Sequence, residues 1–250
     1  MPEVRLEVAD GLATLTLAAP DRRNALTPVM AGELVAACEA IDEDASVGAV
    51  VVCGEGPVFC AGADRATLLG AGGDPAEEAA YRDLGAVYSA FTRVGELEPP
   101  TIAAVRGAAV GAGVNLALAT DLRVMAVDAR LVAGFTALGI HPGGGHFTLA
   151  ARVGGRESAA ALGLFGQEVS GARAVELGLA WEAVPTEDVE ARATEIADAV
   201  AHDPELSRRA ARSMRLELGP PGVSWPVALE AERAAQMWSL RRRAGEGSTR

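Results

Sequence analysis

The sequence predicts one large α/β protein with a helical C-terminal region, and three observations support this fold class. Strand-like and helix-like segments alternate up to about residue 185, and mainly helical segments follow. Half of the 250 residues are apolar, which is enough to bury a large core. Only 4% of the residues are aromatic, so Ala, Val and Leu must form most of that core.

The first elements are an expected β-hairpin and a buried strand. Residues 4–8 and 12–17 alternate apolar and polar side chains on either side of Asp10-Gly11, a pair that favours a tight turn. The run 47–53 is short, continuous and rich in valine, which is typical of a buried parallel strand.

Between these strands we expect a helix that ends near residue 44. Thr27 suits its N-cap, and Pro28 suits its first position because that position needs no amide hydrogen. The helical periodicity places four apolar residues on its buried face: Val29, Leu34, Ala37 and Ile41.

The remaining elements follow from the same patterns. Residues 65–75 are Gly-rich and are expected to be a mobile loop. Further strands are expected at 101–105, 122–127 and 179–184, and further helices at 75–94, 114–119, 157–165, 172–177, 187–201, 204–218 and 225–243. Three Gly-rich turns, at 54–64, 107–113 and 141–146, each follow a predicted strand. Such turns let the backbone approach a ligand and direct N–H groups at it.

Composition excludes several classes of function. The chain has no lysine, so all 22 cationic side chains are arginine, and a lysine Schiff base or a Walker A phosphate loop is excluded. The formal net charge of −12 disfavours nucleic acid and anionic membranes as partners. Three cysteines without a CxxC pair are expected to be buried free thiols, and no metal site is expected. The N-terminus lacks the pattern of a signal peptide, and no apolar run reaches membrane-spanning length, so we expect a cytoplasmic protein.

Two common motifs are incomplete or missing. Gly111 and Gly113 form G-x-G, but Leu116 stands where the dinucleotide fingerprint has its third glycine. No G-x-S-x-G motif is present, so a hydrolase-type serine nucleophile has no support.

Six motifs in order instead resemble one family, the crotonase superfamily, also called the enoyl-CoA hydratase/isomerase family. The resemblance extends from Asp21 to about Val184. Its motifs are RRNALT (22–27), FCAGAD (59–64), AVRG (104–107) with VGAG (110–113), TDLR (120–123), LGIHPGGG (138–145) and the segment 174–178. The resemblance implies a spiral of ββα units over residues 1–185, a helical oligomerisation or cap region over 186–244, and a tail at 245–250.

The resemblance also implies a chemistry. Members of the family bind acyl-CoA thioesters, and two backbone N–H groups polarise the thioester carbonyl. The matching positions here are Ala63 and Ala112. Positions that match the family's contacts to the CoA moiety, and the small residues beside them, are Arg23, Ala25, Leu26, Ala61, Gly62, Asp64 and Gly111. Because the chain has no lysine, side-chain cations for the CoA phosphates must be arginines, with Arg22, Arg23 and Arg65 the nearest candidates.

The chain departs from the family where a hydratase carries its two catalytic glutamates. Asn115 and Phe135 stand at those positions, and neither an amide nor a phenyl ring can exchange a proton with substrate. His141 is a candidate replacement base, since the unperturbed pKa of histidine is about 6.5, and Asn115 remains a candidate for binding a water or an acyl group. Candidates for the acyl pocket are Tyr81, Tyr88 and Phe135.

Two functions therefore stay open at this point. The first is a crotonase-type lyase or isomerase that stabilises a thioester enolate without the two glutamates. The second is a non-catalytic acyl-CoA-binding protein of the same fold. In both cases no cofactor is expected beyond the coenzyme A thioester itself, and the resemblance implies a homotrimer or hexamer. The arginine-, Ala- and Gly-rich composition is typical of a GC-rich bacterial genome, and the family suggests fatty acid metabolism.

Overall fold

A computed structural model describes residues 2–74, 77–218 and 225–247. The chain forms an α/β fold with two sheets surrounded by helices. The strands are β1 (Val4–Ala9), β2 (Leu12–Leu17), β3 (Ala49–Gly54), β4 (Thr101–Val105), β5 (Ala108–Val110), β6 (Leu122–Ala126), β7 (Arg130–Val132), β8 (Glu168–Ser170) and β9 (Glu182–Val184). The α-helices are α1 (Pro28–Glu43), α2 (Arg65–Ala71), α3 (Glu78–Glu96), α4 (Ala112–Ala119), α5 (His146–Ala159), α6 (Gly171–Glu176), α7 (Val189–Ala201), α8 (Pro204–Glu217) and α9 (Trp225–Gly247).

The larger sheet has the strand order β1-β2-β3-β4-β6-β9. Only β1 and β2 pair antiparallel, as the predicted hairpin requires, and the other neighbours are parallel. Every residue of β3 and β4 is buried, because helices α1 and α3 pack together on one side and α7 lies against β3, β4 and β6.

The smaller sheet pairs β5 with β7 in parallel and β7 with β8 antiparallel. None of its three strands was predicted: residues 107–113 were expected to be one Gly-rich turn, but β5 occupies their centre. These strands have three residues each, which is too short for an alternating pattern to show in sequence.

The helices confirm one of these predictions and differ from three others. Thr27 caps α1, since its Oγ1 accepts a hydrogen bond from the Met30 amide at 3.0 Å. Val29 was wrongly predicted to be buried and is 63% exposed, because it lies in the first turn beyond the packed stripe. Residues 65–71, predicted to be loop, form α2 because Asp64 Oδ2 accepts bonds from the Ala66 and Thr67 amides. Helix α9 runs to Gly247, so it includes the first residues of the predicted tail, and 248–250 lie outside the described residues.

Three further observations bear on the predicted classes. All three cysteines are buried free thiols, as predicted. No helix in the described part of the chain is long and apolar enough to cross a membrane. Within the same residues no group of His, Cys, Asp and Glu side chains could hold a metal ion. The division into a core and a C-terminal region at residue 185 stays a prediction.

Candidate active site

The segments 22–27 and 59–64, which carry two of the motifs, lie side by side. The Leu26 amide donates to the Gly62 carbonyl at 2.7 Å, and the Asp64 amide donates to the Leu26 carbonyl at 2.8 Å. The Ala61 amide donates to the Arg23 carbonyl at 2.9 Å. The two segments are therefore paired like short parallel strands. Ala63 lies opposite Leu26, and its backbone N–H donates no hydrogen bond in this pairing.

An asparagine that the sequence analysis missed holds this region together. Asn24 is fully buried with a left-handed backbone, and its side-chain nitrogen lies 2.9, 2.8 and 3.2 Å from the carbonyl oxygens of Glu55, Val58 and Phe59. Its side-chain oxygen accepts from the Ala19 amide at 3.0 Å. Asn24 thus anchors the loop that leads to Ala63.

The second predicted donor begins helix α4. Gly111 precedes this helix with φ +51°, and Ala112 is the first helical residue. The first amides of a helix have no partner inside it. Neither the Ala63 amide nor the Ala112 amide has an acceptor among the described residues.

Two glycines let the Ala63 and Ala112 turns approach closely. A Cβ on Gly113 would lie 2.3 Å from the Cys60 carbonyl oxygen, and a Cβ on Gly62 would lie 2.6 Å from the Val110 carbonyl oxygen. The Val110 amide donates to the Cys60 carbonyl at 2.9 Å, which fixes one turn against the other. The two unpaired amides are therefore held by a rigid contact between backbones.

These turns border a small inner cavity of about 70 Å³. Its walls come from both turns, from α3 and from residues 133–143. Of the described residues that line it, only Tyr88 has an ionisable side chain, and burial raises the pKa of that phenol. The remaining polar lining side chains are Asn115 and Gln236. A larger outer cavity of about 470 Å³ shares Ala61 and Ala63 with the inner one and is lined further by α2 and α9.

Two of the three predicted acyl-pocket residues line the inner cavity, and one does not. Tyr88 and Phe135 line it. Tyr81 does not: it is 44% exposed, its hydroxyl donates to Glu230 at 2.8 Å, and the Arg233 guanidinium lies 4.3 Å from its ring centre. Tyr81 lies nearly two helical turns before Tyr88, at a part of α3 that meets α9 instead of the cavity.

His141 is also outside the inner cavity, contrary to its proposed role as a base there. Its Nδ1 lies 2.6 Å from the Pro142 carbonyl oxygen, and the ring lines a separate surface groove with Phe147 and Trp238. The turn that carries His141 faces outward at this residue, whereas its neighbours Leu138, Ile140 and Gly143 line the cavity.

The histidine that the structure does bring to the site is His146. It is fully buried, its Nδ1 lies 2.9 Å from Asn115 Oδ1, and its ring meets the Phe135 ring edge-on at 5.3 Å between centres. Burial lowers the pKa of His146 to about 4, so its ring is neutral at pH 7.

This burial predicts a pH dependence of stability. Below the unfolded pKa of about 6.5 the unfolded chain takes up a proton that the folded chain excludes until about pH 4. The contribution of neutral His146 to the free energy of unfolding is fully present above pH 6.5. It is lost as the pH falls to 4, and the loss is on the order of 3 kcal/mol. Urea unfolding of wild type and His146→Gln between pH 7 and 4 measures it. If both proteins lost stability equally over this interval, His146 would not be the group responsible.

Gln236 of α9 is a site residue that the sequence analysis missed. The Tyr88 hydroxyl donates to its Oε1, and its Nε2 donates to the His141 carbonyl at 3.2 Å. Glu232, one turn earlier, accepts from the Gly145 and His146 amides at 2.8 and 3.1 Å. No local signal could have revealed these residues, since each pairs with partners more than 80 positions away.

The third Gly-rich turn is explained mainly by packing. A Cβ on Gly143, Gly144 or Gly145 would lie within 2.2 to 2.5 Å of Gln236, Phe91 or Trp225, respectively. The expectation that this turn exists for a ligand therefore holds only in part: Gly143 lines the cavity, but all three glycines are needed by neighbouring side chains.

The cysteine nearest the site and the candidate arginines have clear environments. Cys60 lies beneath the Ala63 turn, and burial raises the pKa of its thiol to about 12, so it is no thiolate at neutral pH. Arg22 pairs with Glu3 at 2.8 Å. Arg65 begins α2 and lines the outer cavity, and Arg23 is exposed beside the paired segments.

Comparisons with known proteins agree with this fold. The family model described as enoyl-CoA hydratase/isomerase matches residues 7–220. The chain is 46% identical over 177 residues to the probable enoyl-CoA hydratase EchA14 of Mycobacterium tuberculosis, covering 71% of this chain and 68% of that protein. It is 35% identical over 202 residues to the 1,2-epoxyphenylacetyl-CoA isomerase of Escherichia coli K12, covering 79% and 75%.

A solved structure extends the likeness to nearly the whole chain. The enoyl-CoA hydratase/isomerase from Xanthobacter autotrophicus Py2 superposes with a TM-score of 0.85 at 31% identity, covering 96% of this chain and 87% of that one. The fold and the matched length agree. This chain therefore belongs to the enoyl-CoA hydratase/isomerase family.

Proposed function

We propose that this protein binds a short acyl-CoA thioester and polarises its carbonyl with the backbone amides of Ala63 and Ala112. The observation that carries the proposal is that these two amides have no acceptor among the described residues and border the same inner cavity. A carbonyl oxygen that accepts from both gains negative charge in an enolate-like state, where each such donor typically contributes about 2.7–4 kcal/mol.

The surroundings strengthen these donors. Ala112 starts α4, whose N-terminus carries a partial positive charge. Most of the cavity lining is apolar, and an apolar lining lowers the local dielectric and strengthens each hydrogen bond to a developing charge. The closely packed glycines keep both amides in place before a ligand arrives.

The outer cavity suits the CoA part of such a ligand. It continues from the inner cavity through Ala61 and Ala63, so a thioester at the amides would have its pantetheine arm there. Arg65 lines this cavity and has no ion pair among the described residues. We assign it, with Arg23, to the CoA phosphates, whereas Arg22 is already paired with Glu3.

The inner cavity also limits the reaction. A hydratase that works with two carboxylates needs both beside the substrate, and no carboxylate lines this cavity among the described residues. Decarboxylation fits better, because loss of CO2 leaves the electron pair of the enolate and needs no protein base. An isomerisation would need a basic atom of the substrate itself to take up the proton. That the Escherichia coli relative is named an isomerase of a CoA thioester supports this direction.

A second candidate, a non-catalytic acyl-CoA-binding protein, is favoured by the same lack of carboxylates among the described lining residues. Large apolar side chains that are exposed in the described part of the chain are candidates for the contacts of the proposed homotrimer or hexamer in either case. The most exposed of them are Phe165, Leu216 and Leu218, at 73%, 82% and 78%.

One experiment tests the proposal and separates the candidates. We expect calorimetric titration to show binding of butyryl-CoA and crotonyl-CoA, and hydration of crotonyl-CoA to be slower than that of a two-glutamate hydratase by at least about 10²-fold. Mass spectrometry of a wider panel, including 2-carboxyacyl-CoA thioesters, then detects any product. Binding without any product would favour the non-catalytic function, and failure of every CoA thioester to bind would refute both.

A further inference from the structure

The side chain of Asn115 occupies an unusual place in the inner cavity. It lies three residues after Ala112 on α4, so it projects from the same end of the helix. It is 1% exposed, and it lines a cavity whose walls are mainly apolar. A buried amide at this place must be held by specific partners or be available to a ligand.

Two neighbours set the orientation of this amide. Its Nδ2 lies 2.9 Å from the Gly143 carbonyl oxygen, which can only accept a hydrogen bond. The nitrogen must therefore face Gly143, and the oxygen must face His146 Nδ1 at 2.9 Å. It follows that His146 carries its proton on Nδ1 and donates it to Asn115, which prevents the amide from rotating.

This arrangement leaves one donor unused. A primary amide has two N–H groups, and the only acceptor for Asn115 Nδ2 among the described residues is the Gly143 carbonyl. A buried donor without a partner is costly, and a ligand oxygen that accepts from it removes that cost. His146 Nε2, on the far side of the ring, is likewise buried without a partner in the described part of the chain. The contact between Asn115 and His146 therefore fixes the orientation of the amide, while one N–H of Asn115 and Nε2 of His146 have no hydrogen-bond partner among the described residues.

We propose that Asn115 donates a hydrogen bond to an oxygen on the acyl chain close to the thioester, so that the inner cavity selects short acyl-CoA thioesters with a hydroxyl or carbonyl substituent there. His146 is the positioning residue for this donor. The inference rests on the proposed function, because it concerns the acyl group of a thioester held at Ala63 and Ala112. In this proposal Asn115 is a fixed hydrogen-bond donor at the helical position where a hydratase has a glutamate.

The size of the cavity agrees with this class of ligand. At about 70 Å³ the inner cavity is about half of an apolar cavity of 150 Å³ that holds benzene. An acyl chain of about four carbons is the expected occupant, and one oxygen on it would lie among Asn115, Tyr88 and Gln236, the polar side chains of the lining.

The test compares two ligands of equal chain length by isothermal titration calorimetry. We expect wild type to bind 3-hydroxybutyryl-CoA roughly tenfold more tightly than butyryl-CoA. We expect Asn115→Leu to lose the preference, so that the ratio of its two affinities falls to about one. Equal affinities in wild type, or a preference that persists in Asn115→Leu, would overturn the inference and leave the proposed function intact. Failure of both ligands to bind wild type would instead refute the proposed function.

The positioning role has its own variants. His146→Gln keeps an N–H donor for Asn115 Oδ1 and should retain most of the ligand preference, whereas His146→Leu should lose it. The ratio of the two affinities is the readout, because a general loss of packing would weaken both ligands alike. Equal loss of the preference in both variants would overturn the assignment to His146. The ligand comparison in wild type needs no variant and tests Asn115 even where a variant fails to fold.

Discussion

Replacing Ala112 with proline should lower turnover by about 10²–10³-fold, because it removes one of the two amide donors. Proline is tolerated at the first position of a helix, and Ala112 holds that position in α4. The change therefore deletes one N–H group with little effect on the helix. The infrared stretch of a bound ¹³C-labelled butyryl-CoA carbonyl reports the loss directly and needs no turnover.

Ala112→Gly is the matched control for this prediction. It keeps the N–H group and changes only the side chain, so it should retain the shifted carbonyl stretch. Unchanged activity and an unchanged carbonyl stretch in Ala112→Pro would show that the donor lies elsewhere.

Gly113→Ala is expected to have the second-largest effect, on both stability and binding. The new methyl group would lie 2.3 Å from the Cys60 carbonyl oxygen and 2.9 Å from Cys60 Cβ, and the backbone there is buried on all sides. The two turns must move apart, which should lower the free energy of unfolding by about 1–3 kcal/mol. Because those turns carry Ala63 and Ala112, the affinity for butyryl-CoA should fall as well. Urea unfolding and calorimetry measure the two effects.

Gly32→Ala supplies the control for a glycine in a helix. Gly32 lies in α1, and a Cβ there would meet nothing within 4 Å. Its replacement should raise stability by up to about 1 kcal/mol, since alanine favours a helix more than glycine does. If Gly113→Ala were as stable as Gly32→Ala and bound ligand normally, the contact between the two turns would not matter.

Much of the fold could be predicted from local sequence. The β1–β2 hairpin, the Thr27 cap of α1 and the buried strands β3 and β4 depend on neighbours along the chain, so their patterns are visible. The short strands β5, β7 and β8 and helix α2 were missed because three-residue strands show no periodicity and a Gly-rich segment can still be capped by Asp64. Val29 was misplaced because periodicity alone does not say where a packed stripe begins.

The candidate site shows the same division. Sequence placed Ala63, Ala112, Asn115 and Phe135 at one cavity because ordered motifs identified the turns that carry them. Tyr81 and His141 were placed there wrongly. They are close in sequence to residues that line the cavity, but Tyr81 contacts Glu230 and His141 lines a separate surface groove.

The sequence by itself determined which residues stand where the resemblance to hydratases implies two glutamates. They are an asparagine and a phenylalanine, and neither side chain can exchange a proton with substrate. Only the tertiary structure decided which side chains surround them. Gln236 reaches Tyr88 across 148 positions, and His146 reaches Asn115 across 31. Contacts of this kind arise from packing between distant helices, so no local pattern records them, and they alone fix which way the Asn115 amide faces.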